Sequence, residues 1–336
     1  MAAGDSQVKV FSIEAFNGQP YTTELYPNER HQCRVNLLVL KEVENAEGHW
    51  IQAPLTQAEI DSATVTGFGP PTQSLPKGWY CDKTKNEYDA GLRPIAGEVK
   101  KKRKASAHDA GAHPSRLKGV LVELIPRYMR VGSNIPIDTQ RFMGRITVGG
   151  KIYTTNGNYG VGNFLSFVDI KPTPGYTLRT SDLAGYSDLN AFSGTVGNNK
   201  VDIDVYYFWP LLVGLRFIDN LGLFWPAKIS GEGANFQSVL AHHIGKGVRN
   251  KIGVVGPTNV LDFSLRVNDV HSTNVDNHPV VFNRRPTIMR AVRYKGWMDT
   301  PDVEVRAQWR LLDNYGFLFS CYLNWSGDRN LVGVED

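Results

Sequence analysis

"LRFIDNLGLFW" spans Leu215–Trp225 and "WRLLDNYGFLF" spans Trp309–Phe319, with the same Arg, Asp-Asn and Gly at matching places. In each, β-prone and apolar residues flank four turn-forming positions: Asp219-Asn220-Leu221-Gly222 in one and Asp313-Asn314-Tyr315-Gly316 in the other. Asp and Asn tolerate turn conformations and Gly supplies positive φ, so each stretch reads as a β-hairpin with a short loop. Two more strand–turn–strand units lie in the N-terminal half, around Gly48 in "RVNLLVLKEVENAEGHW" and around Gly150 in "RITVGGKIY". Pairing these with the hairpins at Gly222 and Gly316 predicts two tandem domains of related design.

The rest of the chain is consistent with strands. Val201, Ile203 and Val205 alternate with Asp202 and Asp204, the period of a half-buried strand. Helix signals are few. Thr56 and Glu59 in "PLTQAEID" make a capping-box pattern over a turn or two, and "GANFQSVLAHHIG" has the length of a short helix. The expected fold class is mainly β: two tandem antiparallel β-sandwich domains, jelly-roll or Ig-like, with very few short helices. The boundaries are residues 1–175 for the first sandwich, 176–199 for a Gly-, Ser- and Asn-rich linker, and 200–336 for the second. Within the first, residues 93–116 carry small and charged residues without an apolar pattern, which predicts a long exposed basic loop.

Composition narrows function by exclusion. The 336 residues are 41% hydrophobic and 21% charged, as in a globular chain, and 37 basic against 33 acidic side chains leave a net charge of only +4. That balance does not call for a nucleic acid as partner. Cys33, Cys81 and Cys321 are widely spaced and cannot all pair, which fits a reducing compartment. No basic patch followed by an apolar stretch opens the chain, and no long uncharged apolar window occurs. The expectation is cytoplasmic synthesis, with export by lysis or a non-classical route.

Catalytic and metal motifs are missing. The eight histidines show no ligand spacing, the neighbours His242 and His243 point to different sides, and neither a nucleophile elbow nor a phosphate loop is present. No cofactor and no metal are expected. Two features remain as candidate binding residues. The run Lys100, Lys101, Lys102, Arg103 and Lys104 is the sharpest charge cluster, read either as a solvated loop or as an anion contact. Among the many aromatics, Trp79, Tyr80 and Trp297 are the rings chosen as exposed contacts, since rings suit sugar faces, lipid interfaces and protein hot spots. "YYFWPLLVG" (206–214) is either a strand buried on both faces or a docking segment.

These readings predict a non-catalytic binding or assembly protein, foremost a surface-recognition effector or toxin-type component. A self-assembling shell or virion subunit of jelly-roll type is one alternative, and a glycan-directed hydrolase with its site spread over loops is another. The partner would be another protein, a glycan, a membrane surface or a second copy of the chain.

Overall fold

Strand follows strand in the computed structural model, which describes residues 5–16, 22–94, 115–117, 120–160, 162–272, 277–326 and 331–336. The chain divides into two units, Met1–Gly175 and Tyr176–Asp336. Each is a sandwich of two sheets.

The first unit contains β1 (Ser6–Ala15), β2 (Thr22–Leu25), β3 (Cys33–Glu44), β4 (Trp50–Ala53), β5 (Thr64–Gly67) and β6 (Trp79–Asp82). It continues with β7 (Ser115–Leu117), β8 (Val120–Val131), β9 (Gln140–Val148), β10 (Lys151–Thr154) and β11 (Val168–Pro172). One sheet runs β1-β3-β8-β6, with β4 on β3 and β7 on β8; the other runs β10-β9-β11-β2, with β5 on β9. All pairs are antiparallel except β2 with β11. Val35, Leu37 and Val39 leave β3 on one face and meet Phe142, Ile146 and Val148 of β9 in a single core. Each such fully buried side chain contributes about 1.5–3 kcal/mol. The sheets approach closely at Gly144, where a Cβ would come within 2.6 Å of the Leu37 side chain.

The capping box forms as the sequence predicts. Helix α1 (Gln57–Ser62) starts at Thr56, whose Oγ1 accepts the Glu59 N–H at 3.3 Å while Glu59 accepts the Thr56 N–H at 2.7 Å. Lys41 closes on the same Glu59 carboxylate at 2.9 Å. At the other end Arg127 donates to the carbonyls of Ile60 and Ala63, so both termini of this one-turn helix have partners.

The second unit contains β12 (Leu183–Val196), β13 (Asn199–Pro210), β14 (Phe217–Phe224), β15 (Phe236–Gly245) and β16 (Val248–Val255). Helix α2 (Val267–Val270) precedes β17 (Met289–Trp297), β18 (Val303–Glu304), β19 (Gln308–Asp313), β20 (Leu318–Ser326) and β21 (Leu331–Glu335). A six-stranded sheet runs β12-β13-β17-β16-β15-β18 and a four-stranded sheet β14-β19-β20-β21. The larger sheet is buried on both faces. Tyr206 packs toward the four-stranded sheet with Trp309 and Phe319, while Tyr207 faces the opposite way, among Leu265, Val267 and Val270. The first residues of "YYFWPLLVG" are therefore a strand covered on both sides, and Leu211 and Val213 emerge from it exposed. No helix among the described residues is long and apolar enough to cross a membrane.

Four expectations change. The stretch read as a linker carries β12, whose residues 183–196 pair along β13 as the edge of the larger sheet. Its Gly, Ser and Asn residues serve an exposed edge with a bulge between Asp188 and Phe192, not a free connection. "GANFQSVLAHHIG" forms strand β15 rather than a helix, because Val239 and Leu240 are drawn into the sheet core. The first echoed segment is no hairpin. Asp219–Gly222 lie within β14, and Gly222 (φ +73°) marks one of two register shifts along it. Only Asp313–Gly316 makes the turn, between β19 and β20.

The two echoed segments are also not equivalents in separate sandwiches. They pair antiparallel with each other, Leu223 opposite Trp309 and Asn220 opposite Leu311. With Gly48 and Gly150 in true hairpins, Gly222 in a bulge, and different strand orders in the two units, the halves do not match hairpin for hairpin.

Candidate functional site

The sequence-selected residues take different fates. Trp79 is buried in the first unit, 5% exposed, its ring 4.7 Å from that of Phe142. It points inward from β6 and fills the space between the sheets, so it is a core residue and not a contact surface. Tyr80, next along the strand, points out under the Arg130 guanidinium, 4.3 Å from the ring centroid, and Arg130 in turn pairs with Asp82. Residues 100–104 and most of the 93–116 loop lie outside the described residues. Trp297 is half exposed, at the end of β17 in the second unit. Among the described ones, Trp297 lines a cleft of the second unit.

That cleft, of about 800 Å³, is built at one end of the six-stranded sheet. Trp297 stands opposite Val248 in the ladder, beside the turn between β15 and β16. The turn needs Gly247 twice over. Its φ is +69°, and a Cβ there would come within 2.5 Å of the indole Cδ1 and Nε1. The ring is thus laid against bare backbone and held by the adjoining bond from the Met298 N–H to the Gly247 carbonyl, 3.1 Å.

Three lysines line the same cleft from three places in the chain. Lys200 is the second residue of β13, Lys246 lies in the β15–β16 turn, and Lys295 precedes Trp297 by two on β17 and so shares its face. All three are exposed. Asn190, Ser193, Thr195 and Asn199 add amides and hydroxyls along β12 and the turn into β13.

The floor is anchored from below. Asp202 lines the cleft, and one of its oxygens accepts from Arg293 at 2.6 Å, while the buried Oδ1 has no partner among the described residues. Arg293 also holds the buried Asp204, Nε to Oδ2 at 2.6 Å, and the other Asp204 oxygen accepts the Asn190 N–H at 2.9 Å. Asn190 keeps a left-handed φ of +59° in that position. One guanidinium therefore fixes both the floor and one wall.

Chemically, the arrangement offers a flat apolar ring, three exposed cations, amides and hydroxyls. It offers no acid–base pair, because Asp202 and Asp204 are both tied to Arg293. Sequence reading missed Lys200 and Lys295, which belong to no local pattern, and read Asp202 only as the polar half of a strand alternation.

A second polar cluster is sealed inside the same unit. Lys251 is fully buried, and its Nζ donates to Glu232 at 2.9 Å and to the Val270 carbonyl at 2.6 Å. Ser238 donates to the same Glu232 oxygen. Burial pulls the Lys251 ammonium down to about 8 against the pull of Glu232. Without exposed surface, this lysine ties the loop at Glu232 to α2. Among the described residues no group of three or more His, Cys, Asp or Glu could hold a metal ion.

No family model matches the chain, and no curated protein matches it. Among solved structures, it is similar to the C-terminal domain of the Streptococcus pyogenes antigen I/II-family protein AspA. The identity is 10%, over 95% of this chain and 99% of that one, with a TM-score of 0.19. The C-terminal domain of the Streptococcus agalactiae AgI/II polypeptide BspA gives 10% identity over 97% and 99%, also with a TM-score of 0.19. The geometry of the cleft, not these likenesses, bears on function.

Proposed function

We propose that the protein is a non-catalytic surface-recognition protein that binds glycans bearing sulfate or carboxylate groups in the Trp297 cleft. The observation that carries this is the exposed indole, braced on Gly247, in a cleft that Lys200, Lys246 and Lys295 also line. An indole stacks on the apolar face of a sugar ring. Lysines are compact, mobile point charges that meet anionic substituents without demanding one geometry.

The test is titration of the purified protein with a heparin tetrasaccharide, its desulfated form and neutral cellotetraose. Binding of the sulfated sugar is expected to weaken as salt rises, and Trp297→Ala is expected to lower affinity at least about tenfold, or ~1.4 kcal/mol. Lys295→Gln should weaken the charged sugar and leave any neutral binding unchanged. Equal binding by Trp297→Ala, or equal affinity for cellotetraose, would overturn the reading.

A further inference from the structure

At the opposite end of β13 from Lys200 lies a second, smaller cavity of about 350 Å³. We infer that this cavity is a binding site for a small carboxylate with an apolar body, held by Arg285 over Tyr186 and Trp209. This inference goes beyond the glycan reading and does not depend on it.

The local structure follows from strand register. Tyr186 stands opposite Tyr207 and Ala184 opposite Trp209, which places Tyr186 and Trp209 diagonally on one face of the β12–β13 ribbon. The chain before β17 turns at Arg285-Pro286-Thr287, with the Thr287 N–H donating to the Arg285 carbonyl at 2.8 Å. Thr287 then fastens to β13 through its hydroxyl, which donates to the Phe208 carbonyl at 2.7 Å. This carries the Arg285 guanidinium over the Tyr186 ring at 4.3 Å, with the Trp209 ring at 6.0 Å.

Its neighbour supplies the contrast. Arg284 pairs with Asp188 at 3.4 Å, whereas no carboxylate among the described residues pairs with Arg285. A guanidinium lying over a ring has its faces engaged and its N–H groups left in the plane, at the edge. That edge is the fork that accepts a carboxylate through two parallel hydrogen bonds. Of the remaining lining, Leu215 and Phe217 are buried and Pro210 and Pro286 close the sides, with Arg216 and Thr287 as its polar members. A carboxylate spends its charge on the fork and leaves an apolar body for Leu215, Phe217 and the prolines, whereas inorganic phosphate has no apolar body to set there.

The experiment uses the full chain, with binding followed by indole N–H resonances in a two-dimensional NMR titration. Phenylacetate represents a free apolar acid, N-acetylphenylalanine represents the carboxyl end of a peptide, and phenylacetamide removes the charge. Both acids are expected to shift the Trp209 resonance saturably, and phenylacetamide is expected to bind at least tenfold more weakly. Tighter binding of N-acetylphenylalanine would identify a chain terminus as the source of the carboxylate; tighter binding of phenylacetate would identify a free acid. Arg285 is exposed, so Arg285→Gln is expected to fold normally, with an unchanged spectrum elsewhere, and to lose the acid at least tenfold. Arg285→Lys keeps the charge without the fork and should recover only part of the affinity. Trp297→Ala should leave this binding untouched. Binding of the acids by Arg285→Gln at wild-type strength, or no saturable shift at Trp209, would overturn the inference.

Discussion

The Trp309 indole N–H donates to Asn220 Oδ1 at 2.9 Å, joining the two echoed segments side chain to side chain inside the core. Both residues are fully buried, and Asn220 also donates to the Val255 carbonyl at 2.6 Å and accepts the Gly222 N–H at 3.0 Å. One amide therefore satisfies the indole, the bulge and the neighbouring sheet. Asn220→Leu strands the Trp309 N–H, the Gly222 N–H and the Val255 carbonyl at once. The expected loss is about 3 kcal/mol or more, since each buried unpaired group costs ~1–3 kcal/mol. Trp309→Phe should cost less when made in the Asn220→Leu background than alone. Denaturant unfolding of the four proteins in that cycle measures the coupling; strictly additive losses would show that the bond contributes nothing.

Arg293 is the second critical contact, because two aspartates depend on it. Arg293→Met leaves Asp204, 2% exposed, without its cation, and the expected destabilisation is about 3–5 kcal/mol. Arg293→Met combined with Asp204→Leu should recover part of that loss, since the buried Asp204 charge is gone while the more exposed Asp202 still lacks its cation. The same single change frees Asn190 and Asp202, so affinity at the Trp297 cleft should fall even under conditions where the variant stays folded. Calorimetric melting together with glycan titration separates the two effects.

Acid should destabilise both units through histidines that are buried neutral. In the first unit, His31 Nδ1 accepts the Tyr26 N–H at 3.0 Å while Nε2 lies 3.0 Å from the Gly91 carbonyl, which fixes one neutral tautomer. A second proton would set N–H against N–H. Burial pulls its pKa from 6.5 to about 4, against the opposing pull of the Gly91 carbonyl and Asp89. The unfolded chain binds that proton near pH 6.5 and the folded chain only near pH 4. Stability present above pH 6.5 is therefore lost as pH falls toward 4, by about 3 kcal/mol. His271 in the second unit is lowered to about 4 by burial and by the Lys251 charge, with the same sign. His31→Gln can keep both hydrogen bonds without titrating, so the pH dependence of melting of the first unit should flatten. An unchanged slope between pH 6.5 and 4 would count against this account.

Strand content and the capping box were legible because their causes are local. Alternation at Val201, Ile203 and Val205 needs only the pleat, and Thr56 with Glu59 needs only one turn of helix. The echo shows where local chemistry stops deciding. Asp313 turns its chain because its Oδ1 accepts the N–H groups of Tyr315 and Phe317, an arrangement complete within five residues. The same Asp-Asn-x-Gly at 219–222 stays in a strand because Asn220 is claimed by Trp309 and Val255, far along the chain. Trp79 and Trp297 differ for a similar reason. Nothing beside Trp79 in sequence announces Phe142, and nothing beside Trp297 announces Gly247. The lysines of the cleft come from two strands and one turn, so their convergence exists only after the sheet has formed.

The pairing of β14 with β19 also sets an order of assembly. These strands are neighbours in the sheet, yet β15, β16, β17 and β18 lie between them in the chain. The β19–β20–β21 meander can form from local contacts, whereas β14 must wait for the chain to return, and such non-local closure is slow. Until it arrives, β19 presents an open row of backbone donors and acceptors beside the unburied Trp309 and Leu311. A nascent second unit thus carries a temporary template for strands of other chains, and β14 is the strand that removes it.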